Sequence, residues 1–106
     1  MLFCLHMCSM LGNPYNTLKQ GCVIMSMQQL NPVVVGNVIA RFRIEKGLTQ
    51  EVLSGLSDIG RTHLSAIERG ERKPTLETLY RISNALGISM STIVIAIEQE
   101  LEKQKR

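Results

Sequence analysis

The stretch that decides the fold is residues 48–70, LTQEVLSGLSDIGRTHLSAIERG, which predicts two short helices joined by a tight turn. On the second helix, Leu64 and Ile67 are three residues apart and share a face that can be buried. The opposite side carries no carboxylate, and its residues are Arg61, Thr62, Ser65, Ala66 and Arg69. An exposed helix face of arginines, hydroxyls and small side chains is suited to the floor of a DNA groove.

Helix signals continue on both sides of this stretch. Each predicted helix begins after a residue that favours a helix start, and each ends near a glycine or a turn. The predicted helices are 32–46, 50–56, 61–69, 76–86 and 90–103, preceded by Asn31, Thr49, Gly60, Thr75 and Ser89 or Ser91. No stretch has the alternating pattern of a strand. The sequence therefore predicts an all-α fold of five helices.

The chain of 106 residues is long enough for one domain with a modest core. With four aromatic residues and no Trp, that core must be aliphatic. The residues expected to face inward are Val35, Ile39 and Phe42 in the first helix, Val52, Leu53 and Leu56 in the second, Leu64 and Ile67 in the third, and Leu76, Leu79, Ile82 and Leu86 in the fourth. The predicted domain covers 32–103, after an irregular and poorly structured extension at 1–31.

The extension contains all three cysteines, Cys4, Cys8 and Cys22, and one charged side chain. An odd cysteine count argues against a disulfide framework and fits a reducing cytosol. The apolar start lacks a basic segment and is shorter than a membrane span, so we expect a cytoplasmic protein without a membrane partner. Three alternatives concern this extension. It lies upstream of a natural start at Met25 or Met27, it binds a metal through Cys4, His6, Cys8 and Cys22, or its cysteines have a redox role.

Neither a metal nor a catalytic site is predicted. The spacing of the cysteines and His6 matches no common zinc arrangement. No Ser/His/Asp set, paired carboxylates or phosphate-binding loop is present, and His6 and His63 lie in separate regions. The net charge of +3 and a pI near 9.0 permit a polyanionic partner without requiring one. We therefore expect no enzyme and no cofactor.

Several different short motifs lie at defined distances from one another across residues 36–95. They are GLTQE at 47–51, IE at 67–68, PT at 74–75, TL at 78–79 and LGI at 86–88, together with Gly36, Ile39, Arg43, Leu53 and Gly70. This arrangement resembles the helix-turn-helix domain of the phage-repressor and Cro-like regulators, the XRE family. The resemblance implies a lambda-repressor-like domain with its helix-turn-helix at about 49–70. It also implies a transcriptional repressor with the 61–69 helix in the major groove.

The resemblance assigns roles to individual residues. Arg61 would bind a guanine, Thr62 would lie beside it in the groove, and Ala66 would contact a thymine methyl group. Gln50 would bind a phosphate at the start of its helix and brace Arg61. The remaining DNA contacts expected are Thr49, His63, Ser65, Arg69, Arg72 and Lys73. His63 could equally be solvated or packed against the turn.

Arg43 and Glu68 match positions that form a partly buried ion pair in this family; the alternative is two separately solvated charges. The sequence departs from the family in the turn, where Asp58 replaces a glycine and Gly60 offers no hydroxyl. Ser54 takes the place of the usual alanine where the two motif helices cross. Compact controllers of restriction–modification genes begin their recognition helix with R-T-aromatic, which resembles Arg61-Thr62-His63 here.

One recognition helix reads too few base pairs for specificity, so we expect a homodimer on a palindromic operator. The fifth helix has apolar residues on more than one side and is the expected interface, through Met90, Ile93, Val94, Ile95 and Ile97. No effector ligand is signalled. The alternative function is a protein-interaction module, such as an antitoxin or an anti-repressor partner that retains the fold.

Overall fold

The computed structural model describes residues 29–105, which form helices and no strand. The five helices are α1 (Pro32–Glu45), α2 (Gln50–Ser57), α3 (Arg61–Glu68), α4 (Leu76–Leu86) and α5 (Met90–Gln104). The all-α prediction is confirmed, and every predicted helix end lies within one residue of the observed one. The cysteines, His6 and the predicted extension up to residue 28 lie outside the described residues.

Local side-chain chemistry sets the helix starts, as predicted. Asn31 Oδ1 accepts the Val33 N–H at 2.9 Å, and Thr49 Oγ1 accepts the Val52 N–H at 3.1 Å. Thr75 and Ser89 cap α4 and α5 in the same way, at 3.1 and 3.2 Å. Each cap satisfies one of the N–H groups that a helix start leaves without an intrahelical acceptor.

The helices pack around one aliphatic core. α1 lies against α3 and α5, α2 lies against α3 and α4, and α4 also contacts α5. Six large side chains from all five helices are fully buried: Ile39, Leu53, Leu64, Ile67, Ile82 and Ile93. The prediction of an aliphatic core is confirmed for residues 29–105, where Phe42 is only partly buried and packs against the core.

Three of the predicted core residues are wrong. Val52, Leu56 and Leu76 are 46%, 61% and 72% exposed. In α2 the buried residues are Leu53, Ser54 and Ser57, and this helix packs against both α3 and α4. An apolar side chain on a surface is common, so hydrophobicity alone does not settle the direction of a two-turn helix.

The crossing of α1 and α3 depends on Gly36. A Cβ built at Gly36 would collide with the backbone carbonyl oxygen of Ile67 and lie 2.7 Å from that of Glu68. Real Cβ atoms do not approach carbonyl oxygens so closely, so the two helix backbones can meet only at a glycine. Ser54, which we expected at the crossing of the two motif helices, is buried in α2.

The turn between α2 and α3 is built on Asp58. This residue has φ 58° and ψ 44°, the left-handed conformation that glycine adopts most readily and that Asp tolerates better than most residues. Its carbonyl oxygen accepts a hydrogen bond from Arg81 Nη1 of α4 at 3.2 Å. The departure noted in the sequence is therefore accommodated, with a tie from the turn to α4.

Candidate nucleic-acid interface

The start of α2, the exposed side of α3 and the segment 69–73 after it contain the predicted DNA-contacting residues except Ala66. Arg61 and Thr62 form the first turn of α3 and are exposed. No acidic side chain within residues 29–105 pairs with Arg61, and Gly60 supplies no side-chain cap. The first turn of α3 thus presents a cation and a hydroxyl to solvent without an internal competitor.

The predicted contact between Ala66 and a thymine methyl group does not fit the burial of this residue. Ala66 is only 9% exposed, although it lies two positions from Leu64, on a different side of α3, and outside the core cluster. A helix of eight residues packed against both α1 and α2 leaves a narrow exposed strip, and Ala66 falls outside it. It offers little surface to a thymine methyl group, and the exposed strip is formed by Arg61, Thr62, Ser65 and Arg69.

The cations that follow α3 differ in their surroundings. Arg69 forms two hydrogen bonds with Glu71, Nε to Oε2 and Nη2 to Oε1, both 2.9 Å, and a third with the Ser65 hydroxyl. The hydrogen bond from Arg69 holds the pKa of the Glu71 carboxyl below its usual range. Arg72 and Lys73 are exposed and have no ionic partner in the part of the chain that the structure describes.

The ion pair expected between Arg43 and Glu68 is present. Arg43 Nε donates to Glu68 Oε2 at 2.7 Å, and Arg43 Nη2 donates to Glu68 Oε1 at 3.0 Å. Their side chains are 15% and 5% exposed. Arg43 Nη1 also donates to the Leu48 carbonyl oxygen at 2.8 Å. This two-pronged pair links α1, the loop before α2 and the end of α3.

Gln50 belongs to the same network, which the sequence did not indicate. Its Nε2 donates to Glu68 Oε1 at 2.8 Å. The brace from Gln50 to Arg61 that the resemblance implied is not among the hydrogen bonds of residues 29–105. Eighteen residues separate Gln50 from Glu68, so no local pattern could have predicted the bond. Thr49 beside it uses its hydroxyl as the α2 cap, and His63 is partly buried on the flank of α3.

Burial of residues in the fifth helix shows that part of the predicted dimer interface is wrong. Ile93 is 0% exposed and Ile97 is 6% exposed, because both pack in the domain's own core. Val94 and Ile95 are 40% and 51% exposed, and Met90 is partly buried. Only Val94, Ile95 and Met90 of the five predicted residues therefore have surface left for a second chain.

Comparison with known proteins identifies this architecture. A family model described as helix-turn-helix matches residues 39–93, from the middle of α1 to the start of α5. This chain belongs to that helix-turn-helix family. Its members are DNA-binding transcriptional regulators of the XRE type rather than enzymes, and they bind double-stranded DNA. The resemblance seen in the sequence is confirmed.

Curated relatives and solved structures agree with this assignment. An uncharacterised HTH-type transcriptional regulator of Sinorhizobium fredii is 44% identical over 66 residues, which are 62% of this chain and 86% of that protein. Control protein C.MunI of a Mycoplasma species is 41% identical, over 61% of this chain and 89% of that protein. The clp gene regulator ClgR of Corynebacterium glutamicum superposes with a TM-score of 0.68 at 28% identity, covering 73% and 82% of the two chains.

The restriction–modification controller protein C.AhdI of Aeromonas hydrophila is also similar. It superposes with a TM-score of 0.59 at 31% identity, over 61% of this chain and 98% of the C.AhdI chain.

Within residues 29–105, no group of three His, Cys, Asp or Glu side chains could hold a metal ion. No single helix there is long and apolar enough to cross a membrane; only α4 and α5 together, bent by 107°, pass by length and composition.

Proposed function

We propose that this regulator is a sequence-specific repressor that binds a palindromic operator as a homodimer in the cytoplasm. The observation that carries the proposal is the first turn of α3, where Arg61 and Thr62 are exposed and Arg61 has no acidic partner among residues 29–105. A free guanidinium on an exposed helix start matches the paired acceptors O6 and N7 of guanine.

The other polar residues of this surface are assigned to the DNA backbone. Gln50, at the start of α2, lies where unpaired N–H groups and the positive end of the helix favour a phosphate. Arg72 and Lys73 have free charges, whereas Arg69 must first exchange Glu71 for a phosphate. Thr49, Ser65 and His63 are assigned to the rim. Such contacts set register and salt dependence rather than sequence choice.

Dimerisation is assigned to the outer side of α5. Val94 and Ile95 are large aliphatic side chains left on the surface of a helix whose other side fills the core. Covering them with the same residues of a second chain gives a two-fold contact in which both partners use one surface. Two copies of α3 then meet two half-sites, which supports the palindromic operator.

The test is selection of binding sites from random duplexes, followed by affinity measurements on the selected duplex. We expect Arg61→Ala to weaken binding about 10-fold or more and to relax the preference for guanine at one position in each half-site. Lys105→Ala, which removes the same charge at the far end of α5, is the matched control and should leave sequence preference unchanged. If Arg61→Ala kept both affinity and preference, the groove assignment would be wrong.

The same selection distinguishes the proposed function from the alternative, a protein-interaction module. A chain that selects no duplex but isolates one protein in stoichiometric amount would be an interaction module that retains the fold. Selection of an inverted repeat supports the dimer, because a monomer reads only one half-site. Reporter transcription from a promoter overlapping the selected site then distinguishes a repressor from an activator.

A further inference from the structure

The hydrogen-bond network around Glu68 joins the scaffold to the candidate DNA surface. We propose that Glu68 is a positioning residue for DNA binding, which holds the side-chain amide of Gln50 in place at the start of α2. This inference rests on the proposed function, in which Gln50 meets a phosphate. It gives Glu68 a second role beside its ion pair with Arg43.

The geometry fixes the carboxylate before it reaches Gln50. Arg43 grips both oxygens of Glu68, at 2.7 and 3.0 Å, and the Glu68 side chain is only 5% exposed. A carboxylate held at both oxygens in a buried place has one orientation. Glu68 Oε1 is therefore a stationary acceptor for Gln50 Nε2, at 2.8 Å.

A free glutamine side chain loses considerable rotational freedom when it binds a ligand. The bond to Glu68 removes much of that freedom before DNA arrives, so less is lost on binding. One amide hydrogen of Gln50 is used in this bond. The second amide hydrogen and the Gln50 side-chain oxygen stay available for other partners. The second hydrogen is the donor that we assign to the phosphate.

Arg43 makes this arrangement compatible with an anion. A bare carboxylate beside the amide would repel a phosphate at the same place. The guanidinium paired to both oxygens of Glu68 cancels that charge, and Arg43 itself is anchored at the Leu48 carbonyl oxygen, 2.8 Å away. The network thus supplies a fixed acceptor for Gln50 without net negative charge.

Two substitutions of Glu68 separate the length of the side chain from its charge. Glu68→Gln keeps the length and one oxygen, which can still accept from Gln50 and Arg43 Nη2, but loses the charge and the second acceptor for Arg43. Glu68→Asp keeps the charge and both acceptors and withdraws them by one methylene. Attraction between a cationic protein and DNA alone predicts tighter binding for Glu68→Gln and no change for Glu68→Asp. Positioning predicts a different pattern relative to the wild type: Glu68→Gln within about twofold of it, and Glu68→Asp at least threefold weaker.

A double-mutant cycle with Gln50→Ala tests whether Glu68 acts through Gln50. Dissociation constants are measured on the selected operator at a temperature where circular dichroism shows every variant folded. We expect Gln50→Ala to weaken binding about fivefold. Adding Glu68→Asp to Gln50→Ala should weaken it no further. An equal loss from Glu68→Asp with and without Gln50 would overturn the positioning role and leave Glu68 as part of the scaffold alone.

The free protein offers a second readout that does not involve DNA. In ¹⁵N NMR spectra the two Gln50 side-chain amide protons should differ strongly in shift, and their motion should be restricted. Glu68→Asp should move both signals toward those of an unrestrained glutamine, and Glu68→Gln should not. Unrestrained Gln50 signals in the wild type would contradict the inference.

Failure of the inference and failure of the proposed function are distinguishable. If Gln50→Ala leaves the affinity unchanged while Arg61→Ala relaxes the preference for guanine, then Gln50 does not contact DNA and the positioning role is wrong, but the groove assignment stands. If no duplex is selected at all, the proposed function fails. A loss in Glu68→Gln equal to that in Glu68→Asp would also count against the shared oxygen as the holding atom.

Discussion

At the scale of single residues, two helical glycines differ in what an added methyl group would meet. A Cβ at Gly36 of α1 would collide with backbone oxygens of α3, whereas one at Gly55 of α2 meets nothing within 4 Å. We expect Gly36→Ala to lower the free energy of unfolding by about 2 kcal/mol or more, because neither helix backbone can yield cheaply. Urea denaturation followed by circular dichroism measures the change.

Gly55→Ala is the matched control for this prediction. The same substitution on an exposed, helical and uncrowded site should stabilise the fold by about 0.5–1 kcal/mol, through helix propensity alone. Opposite signs at the two positions are the expected result. A Gly36→Ala protein as stable as the wild type would mean that α1 and α3 do not cross as closely as the structure has them.

Residue chemistry explains which features the sequence could predict. The caps Asn31, Thr49 and Thr75 depend on neighbours two or three positions away, so their residue types were sufficient. The bond from Gln50 to Glu68 spans 18 residues and depends on how α2 and α3 are placed. It could not be foreseen, although the resemblance already placed Glu68 beside Arg43.

At the scale of helices, the buried side of a helix was harder to predict than the helix itself. Every helix was found, because caps and periodicity are properties of the segment itself. The direction of α2 was wrong at Val52 and Leu56 because a two-turn helix carrying apolar and small residues has no unique apolar stripe. Its neighbours decide which side is buried. For the same reason the low exposure of Ala66 in α3 was not predicted.

An ion pair between α1 and α5 leads to a pH prediction. Arg41 Nη1 contacts Glu100 Oε2 at 3.2 Å. The hydrogen bond from Arg41 lowers the pKa of the Glu100 carboxyl, and the hydrogen bond and charge of Lys103 lower it further. A carboxyl whose pKa is lowered by folding stabilises the fold above its unfolded pKa. That contribution disappears as the pH falls through the folded value.

We therefore expect Glu100→Gln to melt below the wild type at pH 7 and together with it near pH 2. Because this surface is solvated, the difference in melting temperature should be small and should shrink further in high salt. Glu102→Gln, on the same helix with its carboxylate oxygen Oε2 3.9 Å from Lys105 Nζ, is the control. A difference between Glu100→Gln and wild type that persisted at pH 2 would contradict the assignment to the ionised carboxylate.

At the scale of the whole molecule, the assembly proposed above depends on the outer side of α5. Ile95→Lys places a charge on a residue that is 51% exposed, so the fold should tolerate it. Burying that charge in a two-fold contact would set two like charges close together. We expect a monomer in sedimentation velocity, and binding to the palindrome at least 10-fold weaker than that of the wild type, since half-sites would be read singly.

The control for the assembly is Asn84→Lys, which adds the same charge to an exposed position of α4. It should leave the sedimentation coefficient unchanged. If Ile95→Lys remained dimeric, the interface would lie elsewhere, and the exposed apolar residues of α4, Leu76 and Tyr80, would be the next surface to test.

The contact between Arg69 and Glu71 has a consequence for discrimination between DNA sites. In the binding mode proposed here, the guanidinium of Arg69 already donates two hydrogen bonds to the Glu71 carboxylate when the protein approaches DNA. Its gain on reaching a phosphate is the difference between two anions rather than the whole attraction of one. Such an exchange adds little affinity for non-specific DNA, where the phosphates are poorly aligned with Arg69. A cation neutralised in advance therefore suppresses background binding and lets a well-fitted site stand out.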